Sequence, residues 1–258
     1  MRKIALLIIS ILVISFTAQA GVIDNVKNSG ELVLGTSGNM TPMTRSIENG
    51  KTAVGFDIDL ATTMATSMNA KLVIKVMPFE KLIVALKKGE IDMIISNMTM
   101  TPERNLHVAF AGPYMTSGKC LITKHSTLAL SADPITVDKG APTMAVIKGT
   151  TSEMLVKGLM PHVKATSTAS QEEAVALVRD NKVKAFLTDY PVCMSVIQTN
   201  PDSGFASVFS KLTYEPIGIA VPANDTHFLN WTQNFIQRAT KTGLLNVLGQ
   251  KWLGEAKI

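Results

Sequence analysis

Ile91-Asp92-Met93-Ile94-Ile95-Ser96-Asn97-Met98-Thr99-Met100-Thr101-Pro102-Glu103-Arg104 is the stretch on which the reading of this chain turns. Ile91 to Ile95 is a short apolar run of the kind that forms a buried strand. Thr101-Pro102 then marks a helix start: a hydroxyl able to cap, followed by a proline where no N–H is missed. Asn97, Thr99 and Arg104 are thereby expected at the carboxyl end of a strand and in the first turn of a helix. In open α/β sheets small ligands bind at that end. An arginine there presents a planar fork of donors suited to a carboxylate. A surface arginine supporting its own helix would give the same run.

Upstream, the chain alternates strand and helix. Leu32 to Thr36 reads as a strand ending in a glycine-containing loop, Asp57 as the cap of a helix through Ala70, and Leu72 to Val76 as a second strand. Phe79 to Lys88 reads as a helix stopped by Gly89, a residue that takes the left-handed conformation without strain. The pattern is that of a mostly parallel sheet with helices on both faces, an α/β fold.

Downstream, the unit recurs. Ser170-Gln171-Glu172-Glu173 is a capping box opening a helix to Asp180. Asn181 stops it, and Val183 to Leu187 forms the next strand. Aligning Gly89 with Asn181 sets Ser96 against Thr188 and Asn97 against Asp189. Two similar units thus each deliver polar residues at the end of an equivalent strand, as expected of two α/β lobes facing one another. Ala145 to Ile147 reads as a further strand, and Gly149-Thr150-Thr151-Ser152 opens a helix whose free amides suit an anion, or simply a cap.

Composition narrows the class. Arg2-Lys3, the apolar run Ile4 to Phe16 and Ala18-Gln19-Ala20 read as a cleavable secretory leader, with the mature chain starting near Gly21. The absence of a cysteine at that boundary argues against a lipid anchor, so a periplasmic protein is expected. The formal charge of +5 falls to +3 without Arg2 and Lys3, and the remaining lysines are scattered, which disfavours nucleic acid as a partner. Cys120 and Cys193 are expected to be buried free thiols, although an oxidising compartment permits a disulfide. Scattered histidines with no close Cys/His spacing give no metal site. Asp57 and Asp59 suit helix capping better than paired catalysis, because i and i+2 do not share a helix face. Tyr114 and Trp252 read as packing or hinge-side aromatics.

Arg104 and the Thr150–Ser152 amides suit a carboxylate, Asp189 suits a cation, and Thr99 with the Asn97 backbone adds neutral hydrogen bonds. One small molecule uses all of these at once: a zwitterionic α-amino acid, whose two charges are costly to bury unless each is paired.

These residues resemble a known family, the periplasmic polar amino-acid-binding proteins of ABC importers (bacterial extracellular solute-binding proteins, family 3). The resemblance rests on Gly55-Phe56-Asp57-Ile58-Asp59-Leu60-Ala61, Ile91 to Ile95, Thr99 to Arg104, Gly149-Thr150-Thr151-Ser152, Thr188-Asp189-Tyr190-Pro191, Tyr214 to Val221 and Lys251-Trp252-Leu253-Gly254. It implies a two-lobed, type II periplasmic-binding-protein clamp, each lobe a mostly parallel sheet with flanking helices, joined by two hinge strands. The implied division is a signal peptide at 1–20, lobe 1 from 21–116 and 217–258, and lobe 2 from 117–216. The chain would cross near Thr116–Cys120 and again near Thr213–Ile217.

The resemblance also assigns roles. Arg104 would grip the ligand carboxylate, helped by Thr99 and Thr151; Asp189 and the Asn97 carbonyl would take the ammonium. Asn97 stands where relatives usually carry glycine. Phe79 matches a common pocket aromatic, Met40 stands where many relatives stack another, and Met43 occupies a usual phenylalanine position. Ser37 replaces an aspartate found in many relatives, including those for basic ligands, so an uncharged side chain is expected. The implied function is capture of an amino acid for a membrane ABC permease by a monomer, with no cofactor, no metal and no catalysis. An exported prephenate-type dehydratase is the alternative, but it would carry an acid where this chain has Val192; an amino-acid-sensing periplasmic module is another.

Overall fold

The computed structural model describes residues 21–124, 143–209 and 213–254. The expected leader at 1–20 lies outside them. Two five-stranded sheets, each with flanking helices, form two lobes. The first combines β1 (Glu31–Thr36), β5 (Lys71–Val76), β6 (Met93–Ile94), β7 (Ala109–Ser117) and β13 (Glu215–Val221), in the order β5-β1-β6-β13-β7. The second combines β8 (Lys119–Thr123), β9 (Thr143–Ile147), β10 (Lys164–Thr168), β11 (Ala185–Asp189) and β12 (Ala206–Phe209), in the order β10-β9-β11-β8-β12. A small antiparallel sheet of β2 (Asn39–Met40), β3 (Thr44–Ile47) and β4 (Thr52–Val54) flanks the first lobe.

Both large sheets follow one plan. Two parallel pairings are succeeded by two antiparallel ones, β5-β1-β6 then β13-β7 in one lobe and β10-β9-β11 then β8-β12 in the other. The internal similarity read between residues 89–97 and 181–189 is therefore a similarity of whole sheets. The helix before β6, α3 (Leu82–Lys87), is followed by Gly89 at φ 69°. Helix α6 (Gln171–Arg179), before β11, is followed by Asn181 at φ 56°. Each is a left-handed stop, open to glycine for want of a Cβ and to asparagine by local hydrogen bonding.

Helix starts follow the sequence closely. Thr101 Oγ1 accepts from the Arg104 amide at 3.2 Å, with Pro102 opening α4 (Pro102–Asn105). Ser170 Oγ accepts from the Glu173 amide, and Glu173 Oε2 from the Ala169 amide, a reciprocal cap on α6. The start of α2 (Phe56–Ser67) differs from expectation. Gly55, not Asp57, precedes it, at φ 141°, and a Cβ there would lie 2.2 Å from the Met43 carbonyl oxygen. Only glycine fits, and Asp57 is released for another task. The helix also stops at Ser67, short of Ala70.

The core of lobe 1 packs Leu32, Leu34, Phe56, Leu60 and Met64 against Ile217, Ile219 and Phe228, all buried. Phe228 lies on α8 (Thr226–Lys241), near α9 (Leu244–Leu253). Lobe 2 buries Leu121, Met144, Val146, Val156 and Leu187. Among the described residues no helix is long and apolar enough to cross a membrane.

The two cysteines are paired, contrary to the expectation of free thiols: Cys120 and Cys193 are joined by a disulfide with Cα atoms 6.2 Å apart. Topology explains it. Cys120 on β8 lies opposite Thr188 on β11, and the chain turns directly from β11 into α7 (Tyr190–Thr199), whose first turn carries Cys193 back over the sheet.

Candidate functional site

Five Asp, Glu, Lys or Arg side chains are buried among the described residues: Asp57, Arg104, Lys119, Asp189 and Glu215. All five belong to one network between the lobes. Charged groups are almost never fully buried unless paired, so this concentration marks the site.

The lobe 1 half is built at the end of β6. Asn97 follows that strand at φ 49°, a left-handed conformation that asparagine tolerates and glycine adopts freely. Its amide donates to Asp57 Oδ2 at 2.7 Å, while Tyr114 Oη donates to Asp57 Oδ1 at 2.7 Å. Asp57, released from capping, anchors the loop from behind. Thr99 follows two residues later, and Arg104 projects from the short helix α4 that Thr101-Pro102 begins.

The lobe 2 half is built on adjacent antiparallel strands. The register places Lys119 on β8 directly opposite Asp189 at the end of β11. Lys119 Nζ donates to Asp189 Oδ1 at 2.6 Å and to Thr151 Oγ1 at 2.6 Å, and lies 3.4 Å from Glu215 Oε2. Glu215, at the start of β13, also accepts from Thr99 Oγ1 at 2.8 Å and Thr151 Oγ1 at 3.0 Å. Helix α5 (Thr151–Leu159) supplies Thr151 at its first position. Its N-terminus is partly self-capped: Glu153 Oε2 accepts from the Gly149 amide, and Thr150 Oγ1 from the Glu153 amide. These caps occupy the amides of Gly149 and Glu153; of the three amides expected to suit an anion, that of Thr150 donates to the Ile147 carbonyl.

The halves meet directly. Asn97 Nδ2 donates to Asp189 Oδ2 at 2.9 Å, so the two residues aligned by the internal similarity touch across the cleft. Arg104 donates through Nη1 to the Thr99 carbonyl at 2.7 Å and through Nη2 to the Gly149 carbonyl of the other lobe at 3.0 Å. Its guanidinium lies over the Phe79 ring, 5.3 Å from the centroid. Gly149 sits at φ 79°, and a Cβ there would come within 2.9 Å of Glu80 Cβ, so this close approach requires glycine. Burial lowers the Arg104 pKa to about 10, opposed by the Asp189 and Glu215 carboxylates. The arginine remains charged, and a guanidinium has five donors, which leaves some for a carboxylate beyond the two carbonyls.

The expected site residues are thus brought together: Arg104, Thr99, Thr151, Asn97 and Asp189 form one connected cluster, with Phe79 beneath Arg104. Met40 is buried with its sulfur 3.9 Å from Asn97 Nδ2. Met43 is instead packed in the lobe 1 core. Ser37 is buried, its amide donating to Ser96 Oγ at 2.9 Å. Asp59 points away from Asp57 to Lys251 and Trp252, at 2.6 and 2.7 Å. Lys119 and Glu215 were not anticipated as site residues. The available signal was a lysine and a glutamate bordering apolar strand runs, which does not say that they face each other.

The buried Asp57 carboxyl has a testable signature. Burial raises its pKa from 3.8 to about 7, with the Tyr114 hydroxyl and Asn97 amide acting in the opposite direction. A carboxyl raised in the folded state binds protons that the unfolded chain releases. Its stabilising contribution is therefore full below the unfolded value and is lost as pH rises through about 7. Asp57→Asn keeps polar contacts and removes the titration. From about pH 5 to about pH 8, the wild type is expected to lose a few kcal/mol relative to this variant, measured by urea unfolding. Equal pH slopes for the two proteins would refute the assignment.

The family model for bacterial extracellular solute-binding proteins, family 3, matches residues 32–255. The chain is 29% identical over 252 residues to ABC transporter arginine-binding protein 1 of Escherichia coli (strain K12), covering 95% of this chain and 98% of that protein. Among solved structures, an ancestral amino acid-binding protein, a precursor of cyclohexadienyl dehydratase, matches with a TM-score of 0.81 and 31% identity, over 90% of this chain and 99% of that one. A Wolinella succinogenes DSM 1740 protein complexed with lysine matches with a TM-score of 0.83 and 30% identity, over 88% of this chain and 97% of that one. The lobes, the paired half-sites and the matched length agree, and the chain belongs to the bacterial extracellular solute-binding proteins, family 3.

Proposed function

We propose that this protein captures an α-amino acid with an uncharged side chain between its lobes in the periplasm and delivers it to a membrane ABC permease. The observation that supports this most is the convergence of Arg104, Thr99, Thr151 and Asp189 on one cleft shared by both lobes. A guanidinium for the carboxylate and an aspartate for the ammonium match the two ends of a zwitterion. Binding would draw on contacts from both lobes, so the ligand stabilises the closed arrangement in proportion to what it gains there. The division into lobe 1 (21–116 and 217–258) and lobe 2 (117–216), a cleavable leader at 1–20 and a monomeric, non-catalytic protein belong to the same reading.

The dehydratase alternative has less support. It requires an acid where Val192 stands, and Val192 is buried in an apolar cluster with Phe186 and Val196. The deciding experiment is a thermal-shift screen of the purified protein against the twenty amino acids, after partial unfolding and refolding to strip carried-over ligand. Uncharged amino acids are expected to raise Tm, and titration calorimetry should give one site per chain. Failure of every amino acid to shift Tm would overturn the reading.

A further inference from the structure

We propose that Lys119 sets the charge of the accepted ligand: its ammonium is a resident counter-ion that fits the cleft to amino acids of zero net charge and excludes arginine and lysine. This rests on the reading that the cleft binds an α-amino acid, and deepens it by naming the residue that selects the class.

The Lys119 side chain is 4% exposed, donates hydrogen bonds to Asp189 and Thr151, and forms an ion pair with Glu215 at 3.4 Å, all inside the site. Besides Asp57, the buried charged side chains of the site are Arg104 and Lys119, positive, and Asp189 and Glu215, negative; Lys119 pairs with both carboxylates, while Arg104 bonds to carbonyls. The four charges cancel. Asp57, behind Asn97, has its carboxyl raised to about 7 and is mainly neutral in mildly acidic solution. The nearby Lys148–Glu80 pair, 3.4 Å apart between the lobes, is balanced in itself.

A guest with a neutral side chain brings one carboxylate and one ammonium, and the balance survives. A basic side chain brings one positive charge more than the two carboxylates balance, since Lys119 already lies against both. An acidic side chain brings the opposite imbalance. In a cleft that excludes water, an uncompensated charge is the dominant penalty.

The remaining unpaired polar groups are acceptors. Three buried side-chain atoms among the described residues lack a hydrogen-bond partner: Asn39 Oδ1, Asn97 Oδ1 and Gln171 Oε1. Each is a neutral acceptor. The orientations of Asn39 and Asn97 are set by their amide nitrogens, which donate to the Ala169 carbonyl and to Asp189. Asn39 binds two residues before Gln171, where β2 meets the start of α6. Such acceptors suit N–H or O–H donors, charged or neutral, so the selection by charge falls to Lys119.

The test is a charge series in both partners. Wild type, Lys119→Met, Glu215→Gln and the double variant are titrated at about pH 6 with L-glutamine, L-methionine, L-glutamate and L-arginine. The buried sums of the four proteins are zero, negative, positive and zero. The wild type is expected to favour the uncharged probes. In Lys119→Met the ratio of arginine to uncharged-probe affinity should rise about thirtyfold or more, the equivalent of one buried charge partner. Glu215→Gln should move the preference towards glutamate, and the double variant should return it to the uncharged probes. If Lys119→Met does not fold, Glu215→Gln and the double variant still decide. Wild type binding arginine as tightly as the uncharged probes, or ratios that ignore the charge sum, would overturn the role of Lys119 while leaving the amino-acid reading intact. Failure of the wild type to bind any of the twenty amino acids would remove both.

Discussion

Arg104→Ala is expected to abolish ligand-induced thermal stabilisation while the far-ultraviolet circular dichroism spectrum remains that of the parent. Among the described residues the guanidinium is the one buried cation in the site whose hydrogen bonds go to backbone carbonyls rather than to a carboxylate. In the proposed function it is the group that receives the carboxylate of a guest. Removing one partner of a buried hydrogen-bonded charge pair costs roughly 2–5 kcal/mol, or about thirtyfold or more in affinity. Two further losses act in the same direction. The contact from Arg104 to Gly149 spans the lobes, so its removal weakens closure, and the cation is lifted from the Phe79 face. Arg104→Lys keeps the charge but not the planar fork, and should recover only part of the affinity. Calorimetric affinity unchanged in Arg104→Ala would remove this residue from the binding site.

The part of this arrangement legible in the sequence was the part encoded locally. Thr101-Pro102 fixes where α4 begins, and with it the position of Arg104. Gly89 and Asn181 are stops whose left-handed geometry needs no partner elsewhere in the chain, so the two half-sites could be aligned from sequence alone. That alignment set Asn97 against Asp189, and the two are in contact. What escaped was set by register. Lys119 lies opposite Asp189 because β8 runs antiparallel beside β11, and Glu215 reaches the same point from a third strand. Nothing within a few residues of Lys119 records either neighbour. Asp57 was misplaced for a related reason: the contact between Gly55 and the Met43 carbonyl, made across a loop, determines where α2 starts. The methionines divide likewise, Met40 lying beside Asn97 and Met43 entering the core, a distinction that follows from the turn between β2 and β3.

The disulfide supports a second large effect, on stability rather than affinity. Replacing both Cys120 and Cys193 by alanine is expected to lower unfolding stability by about 4 kcal/mol, because the bridge closes a loop with a sequence separation of 73 and restricts the unfolded chain accordingly. For a chain of this size that corresponds to a fall in Tm of about 10 °C. Both cysteines are almost completely buried, at 1% and 0% exposure, so truncation also forfeits packing in the cluster that contains Ile122, Phe186 and Val192. The placement of the bridge links stability to the site. Cys120 directly follows Lys119, and Cys193 lies in the first turn of the helix that starts after Asp189, so the covalent link ties together the two elements that hold the opposed charges. Urea unfolding of the oxidised wild type and the double alanine variant checks this. A difference below about 1 kcal/mol would mean that the loop-closure term is cancelled by residual structure in the unfolded state, and that the pairing of β8 with β11 holds Lys119 against Asp189 without covalent help.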